Sequence, residues 1–207
     1  MFDSIDATLA TLATSPWVLL LVVGLLAAAD ALVPLAPSES TVIAVAVASA
    51  ATGRPPLVVV VVVAALGAYG GDWLAYRLGR RFGPAMTARL RRHRRTRTAA
   101  ELAHRVIHRR GRALIVFGRY LPGGRSATAI TAGLVGYPPG RFQRFTALAV
   151  TVWAAWAALL GYGSSIFLDG RPTRALVLAC AIAPVSAVAI GLARRLVTAR
   201  AASATTS

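Results

Sequence analysis

Acidic residues, cysteine and lysine are what this sequence has least of: seven acids in 207 residues, one cysteine and no lysine. With Cys180 alone in an apolar run, neither a disulfide framework nor a cysteine zinc site can be built. All 23 basic residues are arginine, which genomic codon bias explains as well as chemistry does. Charged residues make up 14% of the chain, where a soluble domain carries roughly a quarter. The three histidines, His93, His104 and His108, have no acidic neighbour arranged with them to hold a metal. His104 and His108 stand four apart, but H-R-V-I-H lacks the glutamate of H-E-x-x-H. No metal or cofactor is therefore expected. The N-terminus carries Asp3 and Asp6 in place of a positive leader region, so no cleaved signal peptide is expected.

What is abundant is apolar sequence. The chain is 57% hydrophobic with mean hydropathy +0.64, and its charges are unevenly spread. A net charge of +16 and a pI near 11.8 do not make it a nucleic-acid binder, because such a domain would leave this much apolar sequence without a core. The composition is that of an all-α, polytopic membrane protein.

Residues 1–14 place Phe2, Ile5, Leu9 and Leu12 at helical spacing opposite Asp3, Asp6 and Thr8, predicting an amphipathic helix at the interface. A first span is predicted from Trp17 to Val33, short for a ~30 Å hydrocarbon core. Asp30 and the breaks Pro34 and Pro37 follow, then Glu39 and a half-length apolar segment from Ser40 to Thr52. A helix, an acid-bearing break and a half helix predict a re-entrant hairpin. Pro55-Pro56 opens a second span, Leu57 to about Leu78, which Gly70-Gly71-Asp72 is expected to interrupt. Residues 79–112 form the long hydrophilic loop, and Arg77 to Arg112 holds 13 arginines against Glu101, which predicts a cytoplasmic location.

The stretch Gly118–Gly140 sets Arg119 and Arg125 in apolar, small-residue sequence around Pro122-Gly123-Gly124. Those three residues break a helix, and broken backbone at membrane depth needs protein or a water-filled cavity around it. A guanidinium at that depth costs ~2.5–3.5 kcal/mol on insertion scales, so it faces a cavity or a partner. Taken alone, the stretch fits either an intramembrane anion site or a cytoplasmic loop with two solvated arginines. Pro138-Pro139 leads to a third span, Phe145–Ser164, and a fourth runs from Ala175 to Ala193 before a disordered tail at 196–207. With the arginine loop inside, both termini are cytoplasmic, and only Arg54, Arg171 and Arg174 fall outside. The expectation is about four transmembrane helices plus two opposing re-entrant hairpins, each followed by Pro-Pro and a span, in an inverted repeat.

Three ordered motifs now stand on the page: D-x-x-x-P-x-x-P-S-E at 30–39, G-D-x-x-x-Y-x-x-G-R-x-x-G at 71–83, and R-x-x-P-x-x-R-x-x-x-x-x-x-A-G at 119–133. Together they resemble the DedA family, the bacterial branch of the SNARE-associated or VTT-domain superfamily, over residues 15–195. The resemblance implies a small bundle with opposing hairpins in the bacterial cytoplasmic (inner) membrane. It also implies an activity tied to the proton-motive force, moving lipids such as undecaprenyl phosphate or a phospholipid between leaflets. Position by position, the family's functional acids fall on Asp30 and Glu39 and its arginine pair on Arg119 and Arg125. Asp30 is one methylene shorter than the glutamate often found there. Asp72 matches the G-D motif in what reads as a structural role, and is the third acid considered for proton coupling.

Arginine supplies a fixed charge and paired N–H donors to phosphate, which lysine does not match. The acids would pair with the arginines in an empty site, then take up protons and yield them to a lipid phosphate head group. Membrane lipids and protons are thus the expected partners, with no nucleic acid. A proton-coupled small-anion transporter fits the same residues. A membrane phosphatase or a scaffold fits less well: no histidine lies near either hairpin, no P-S-G-H element occurs, and a scaffold has no need of opposing acids and arginines. An enzyme is not expected.

Overall fold

The structure is a computed structural model, described here for residues 15–32, 38–90, 105–108, 111–116 and 124–167. The predicted N-terminal amphipathic helix, Pro34, Pro37, Arg119, Pro122, Gly123, the fourth span and the tail lie outside the described residues. Every described element is a helix. Helix α1 is Pro16–Ala29, α2 Ser38–Thr52, α3 Leu57–Leu90, α4 Gly124–Leu134 and α5 Pro139–Phe167. Short helical pieces at 105–108 and 111–116 lie between α3 and α4.

Each boundary has a local cause. Pro16 opens α1 from the first turn, where its missing N–H costs nothing. Helix α2 ends in Gly53, whose left-handed φ of 71° lets its N–H donate to Ser49 O at 2.9 Å. Helix α4 ends the same way at Gly136, with φ 69°. There Tyr137 N–H donates to Ala132 O and Gly136 N–H to Gly133 O, a Schellman closure. Both glycines are followed by one residue and a Pro-Pro pair, G-R-P-P at 53–56 and G-Y-P-P at 136–139. The two halves therefore share a short helix, a glycine stop, a Pro-Pro start and a long helix.

Two expectations are corrected. Gly70-Gly71-Asp72 does not interrupt the second span: α3 runs unbroken for 34 residues, because each glycine costs a helix only ~1 kcal/mol, which packing offsets. Residues 79–90, assigned to the hydrophilic loop by composition, continue that helix. Gly124, the last residue of the predicted Pro122-Gly123-Gly124 break, is the first residue of α4. Among the described residues, Leu57–Gly83 and Pro139–Phe167 are long and apolar enough to cross a membrane. Helix α1, at 14 residues, is apolar but shorter than a span.

Helix α3 is the mast of the bundle, packing against α1, α4 and α5, while α2 lies on α5. Absent side chains let the backbones approach. A Cβ on Gly67 or Gly71 would run into the carbonyls of Gly24 or Ala28 on α1. A Cβ on Gly79 would meet Ile130 O, and one on Gly133 would meet Tyr76 O, so α3 and α4 touch backbone to backbone. Gly67-x-x-x-Gly71 and Gly79-x-x-x-Gly83 are two small-residue seams on one helix, each receiving a different neighbour. The packing is reciprocal: the short helix α4 crosses the first half's long helix, and the short helix α2 crosses α5 where Gly161 meets Ile43 O.

Two apolar clusters occupy the two ends of the bundle. One gathers Val42, Ile43, Val60 and Ala157; the other gathers Tyr76, Ile107, Ala129 and Phe142. Between them Ala27, Ala68 and Val150 form a small middle cluster. Trp17, Leu21, Leu25, Val58, Leu66, Leu148 and Leu159 stay exposed, an apolar outer surface of the kind lipid tails cover.

Candidate functional site

The middle of the bundle holds its charges. Arg125 is the second residue of α4, which puts its side chain at the start of a helix pressed against α3. Its guanidinium is 9% exposed and reaches four acceptors. Nε donates to Asp72 Oδ1 at 2.5 Å, and Nη1 donates to Asp30 Oδ2 at 2.9 Å. Nη2 donates to two backbone carbonyls, Ala27 O at 3.1 Å and Ala68 O at 2.9 Å. Of the five N–H bonds of an arginine, four are used.

The two carboxylates differ. Asp72, inside α3, has a side chain only 5% exposed, whereas Asp30 in the turn closing α1 is 22% exposed. Asp30 Oδ2 also accepts from Ser38 Oγ at 2.9 Å, so the first residue of α2 is tied to the end of α1. Glu39 follows in the first turn of α2, near enough to Asp30 for their like charges to act on each other. Among the described residues the cluster sets Asp30, Asp72 and the neighbouring Glu39 against Arg125.

An aromatic wall closes the site on one side. Tyr76, one helical turn beyond Asp72, stacks between Trp73 and Phe142, with ring centroids 5.2 and 4.5 Å away. Its hydroxyl donates to Tyr137 O at 2.5 Å and accepts from Arg80 Nη1 at 3.3 Å. A small pocket borders the cluster there, with Thr146, Thr128, Asp72 and Arg125 on its polar side. Among the described residues no group of three or more metal-ligating side chains occurs.

Of the residues singled out in the sequence, the structure brings Asp30, Asp72 and Arg125 into contact and sets Glu39 beside them. Arg119 lies outside the described residues. Sequence reasoning missed Ser38 and the carbonyls of Ala27 and Ala68. Ser38 had a signal, a hydroxyl just before the acid of P-S-E. The carbonyls had none, since every residue carries one.

This arrangement, with a buried arginine clasped by acids from two other helices of an apolar bundle, is that of a membrane protein built around an internal polar site. The VTT domain family matches residues 33–163, more than half of the chain. The chain belongs to this family, the DedA or SNARE-associated class of membrane proteins. Glu39, Asp72 and Arg125 fall inside the matched range, and Asp30 lies three residues before it. No curated protein and no solved structure gives a significant match.

Proposed function

We propose that this chain is a proton-linked transporter that moves a lipid phosphate head group between the leaflets of the bacterial inner membrane, without covalent chemistry. One observation carries the reading: Arg125 is buried and held by two carboxylates of unequal exposure, a pair that protonation can open. Asp30 is the exchangeable partner. It is the more exposed acid, and it contacts Nη1, the nitrogen that still has an unused N–H. When Asp30 takes up a proton, its hold on Nη1 weakens and that edge of the guanidinium turns to a phosphate oxygen. Asp72, Ala27 O and Ala68 O keep the other edge fixed, so the donors stay aimed with little reorganisation.

Glu39 raises the local negative charge and makes proton uptake by the Asp30–Glu39 pair favourable as an anion approaches. Arg119 is the second phosphate ligand. The shared G-x-P-P stops and the reciprocal crossings support an inverted repeat of two re-entrant hairpins, and the arginine-rich stretch 77–112 supports cytoplasmic termini. Lipid tails would remain outside, along the exposed apolar surface, while the head group crosses through the polar middle.

The test is leaflet exchange of undecaprenyl phosphate and of phospholipids in proteoliposomes, with and without an imposed pH gradient. Exchange that the gradient accelerates supports the reading. Uptake of free phosphate with no lipid exchange would move the function to a small-anion transporter.

A further inference from the structure

Two buried hydroxyls, those of Thr146 and Ser126, have no hydrogen-bond partner among the described residues. An unpaired buried hydroxyl is costly, so each calls for an explanation. Thr146 on α5 is 2% exposed. A helical threonine ordinarily returns its hydroxyl to the carbonyl four residues back, as Thr52 does to Ala48 O and Thr151 to Ala147 O. Thr146 forgoes that bond. Its side chain lines the pocket beside the ion cluster, where Thr128, Asp72 and Arg125 supply further polar groups and Ile115 and Phe142 the apolar walls.

The charges around this pocket select its occupant. Asp72 repels an anion and Arg125 repels a cation. A small neutral molecule that both donates and accepts hydrogen bonds suits both, and water is the one always present. We propose that the pocket holds an ordered water bound by Thr146, and that this water gives Asp72 a proton route separate from that of Asp30. Asp30 is bonded by Ser38 at the start of α2. The pocket reaches Asp72 from the α4–α5 side. Of the two acids on Arg125, Asp72 lines this pocket and Asp30 does not.

The proton step is simple. A hydronium formed at the site breaks one O–H bond, Asp72 gains one, and a neutral water stays on Thr146. Among the described residues, the charged groups gathered with Asp72 are Arg125 on α4, Asp30 at the end of α1 and Glu39 on α2. Arg112, Arg141 and Arg144 are exposed. The proton route rests on the transport reading above; the water site does not.

Thermal unfolding of the purified full-length protein in detergent tests the water site. Thr146→Val keeps shape and removes the hydroxyl. It should lower the midpoint by roughly 2–4 °C if a bound water loses its partner. Thr146→Ser should stay near wild type. Ser126→Ala, which removes an unpaired hydroxyl away from the pocket lining, should leave the midpoint unchanged or raised. Infrared spectra in D2O should show a water O–D band in wild type that vanishes in Thr146→Val. A Val variant as stable as wild type, or an unchanged spectrum, overturns the water site. The route itself is read in proteoliposomes: Thr146→Val should slow gradient-driven exchange at least about 10-fold, with rescue by Ser. An undiminished gradient response would overturn the route while the unfolding and infrared results stand on their own. Wild-type protein that exchanges no lipid would overturn the transport reading and leave the water site in place.

Discussion

Arg125 on α4 donates through Nε to Asp72 Oδ1 on α3 at 2.5 Å, joining side chains 53 residues apart that are 9% and 5% exposed. Nη1 and Nη2 extend the same guanidinium to α1. Read from sequence, Arg125 is expected to bind phosphate; in the fold it clasps three helices together. Breaking a buried ion pair from one side typically costs ~3–5 kcal/mol, because the remaining charge is stranded. Arg125→Ala should accordingly unfold at a clearly lower temperature in detergent and express poorly. Arg125→Lys keeps the charge but not the fork, and should recover less than half of the loss.

The two acids should separate by readout. Asp72→Asn removes the most buried carboxylate and should lower thermal stability more than Asp30→Asn does. Asp30→Asn, at the more exposed partner, should leave the fold near wild type and weaken the response of lipid exchange to a pH gradient. Equal stability losses in the two variants would contradict the difference in burial.

Glu39→Gln imitates a protonated carboxyl. Basal exchange of lipid phosphate should persist, while its acceleration by the pH gradient is lost. Glu39→Asp should keep part of the acceleration, since the acid remains with a shorter reach. A Gln variant that follows the gradient as wild type does would leave Asp30, and then Asp72, as the coupling acid.

Adjacent glycines on α3 give a steric test. Gly71→Ala would push a methyl group into the Ala28 carbonyl, and overpacking of this kind costs ~1–3 kcal/mol or more. Gly70→Ala meets nothing within 4 Å and should stabilise α3 by up to ~1 kcal/mol through helix propensity. Melting temperatures of the two variants should therefore move in opposite directions.

Tyr76→Phe removes one hydroxyl from a residue 1% exposed, stranding Tyr137 O and the Arg80 contact. The stacking with Trp73 and Phe142 is kept. A loss of ~1–2 kcal/mol is expected, measured as a lowered unfolding temperature with normal assembly in the membrane.

Much of this architecture can be read from local chemistry. Long apolar runs determine helices that need lipid around them, and Pro-Pro after a glycine stop marks where each long helix begins. A buried charge must have a partner, so Asp30, Glu39, Asp72 and Arg125 stand out in sequences otherwise free of charge. Tertiary structure decided the rest. Whether Gly70-Gly71-Asp72 ends a helix depends on what lies against it, and α1 lies against Gly67 and Gly71 with no side chain between. That close contact holds α3 straight where its composition suggests a break. Which acid meets Arg125 depends on how α4 crosses α3, and the crossing depends on Gly79 and Gly133 together. The carbonyls of Ala27 and Ala68 become ligands only because three helices converge on one guanidinium, a juxtaposition set by packing between segments far apart in the chain.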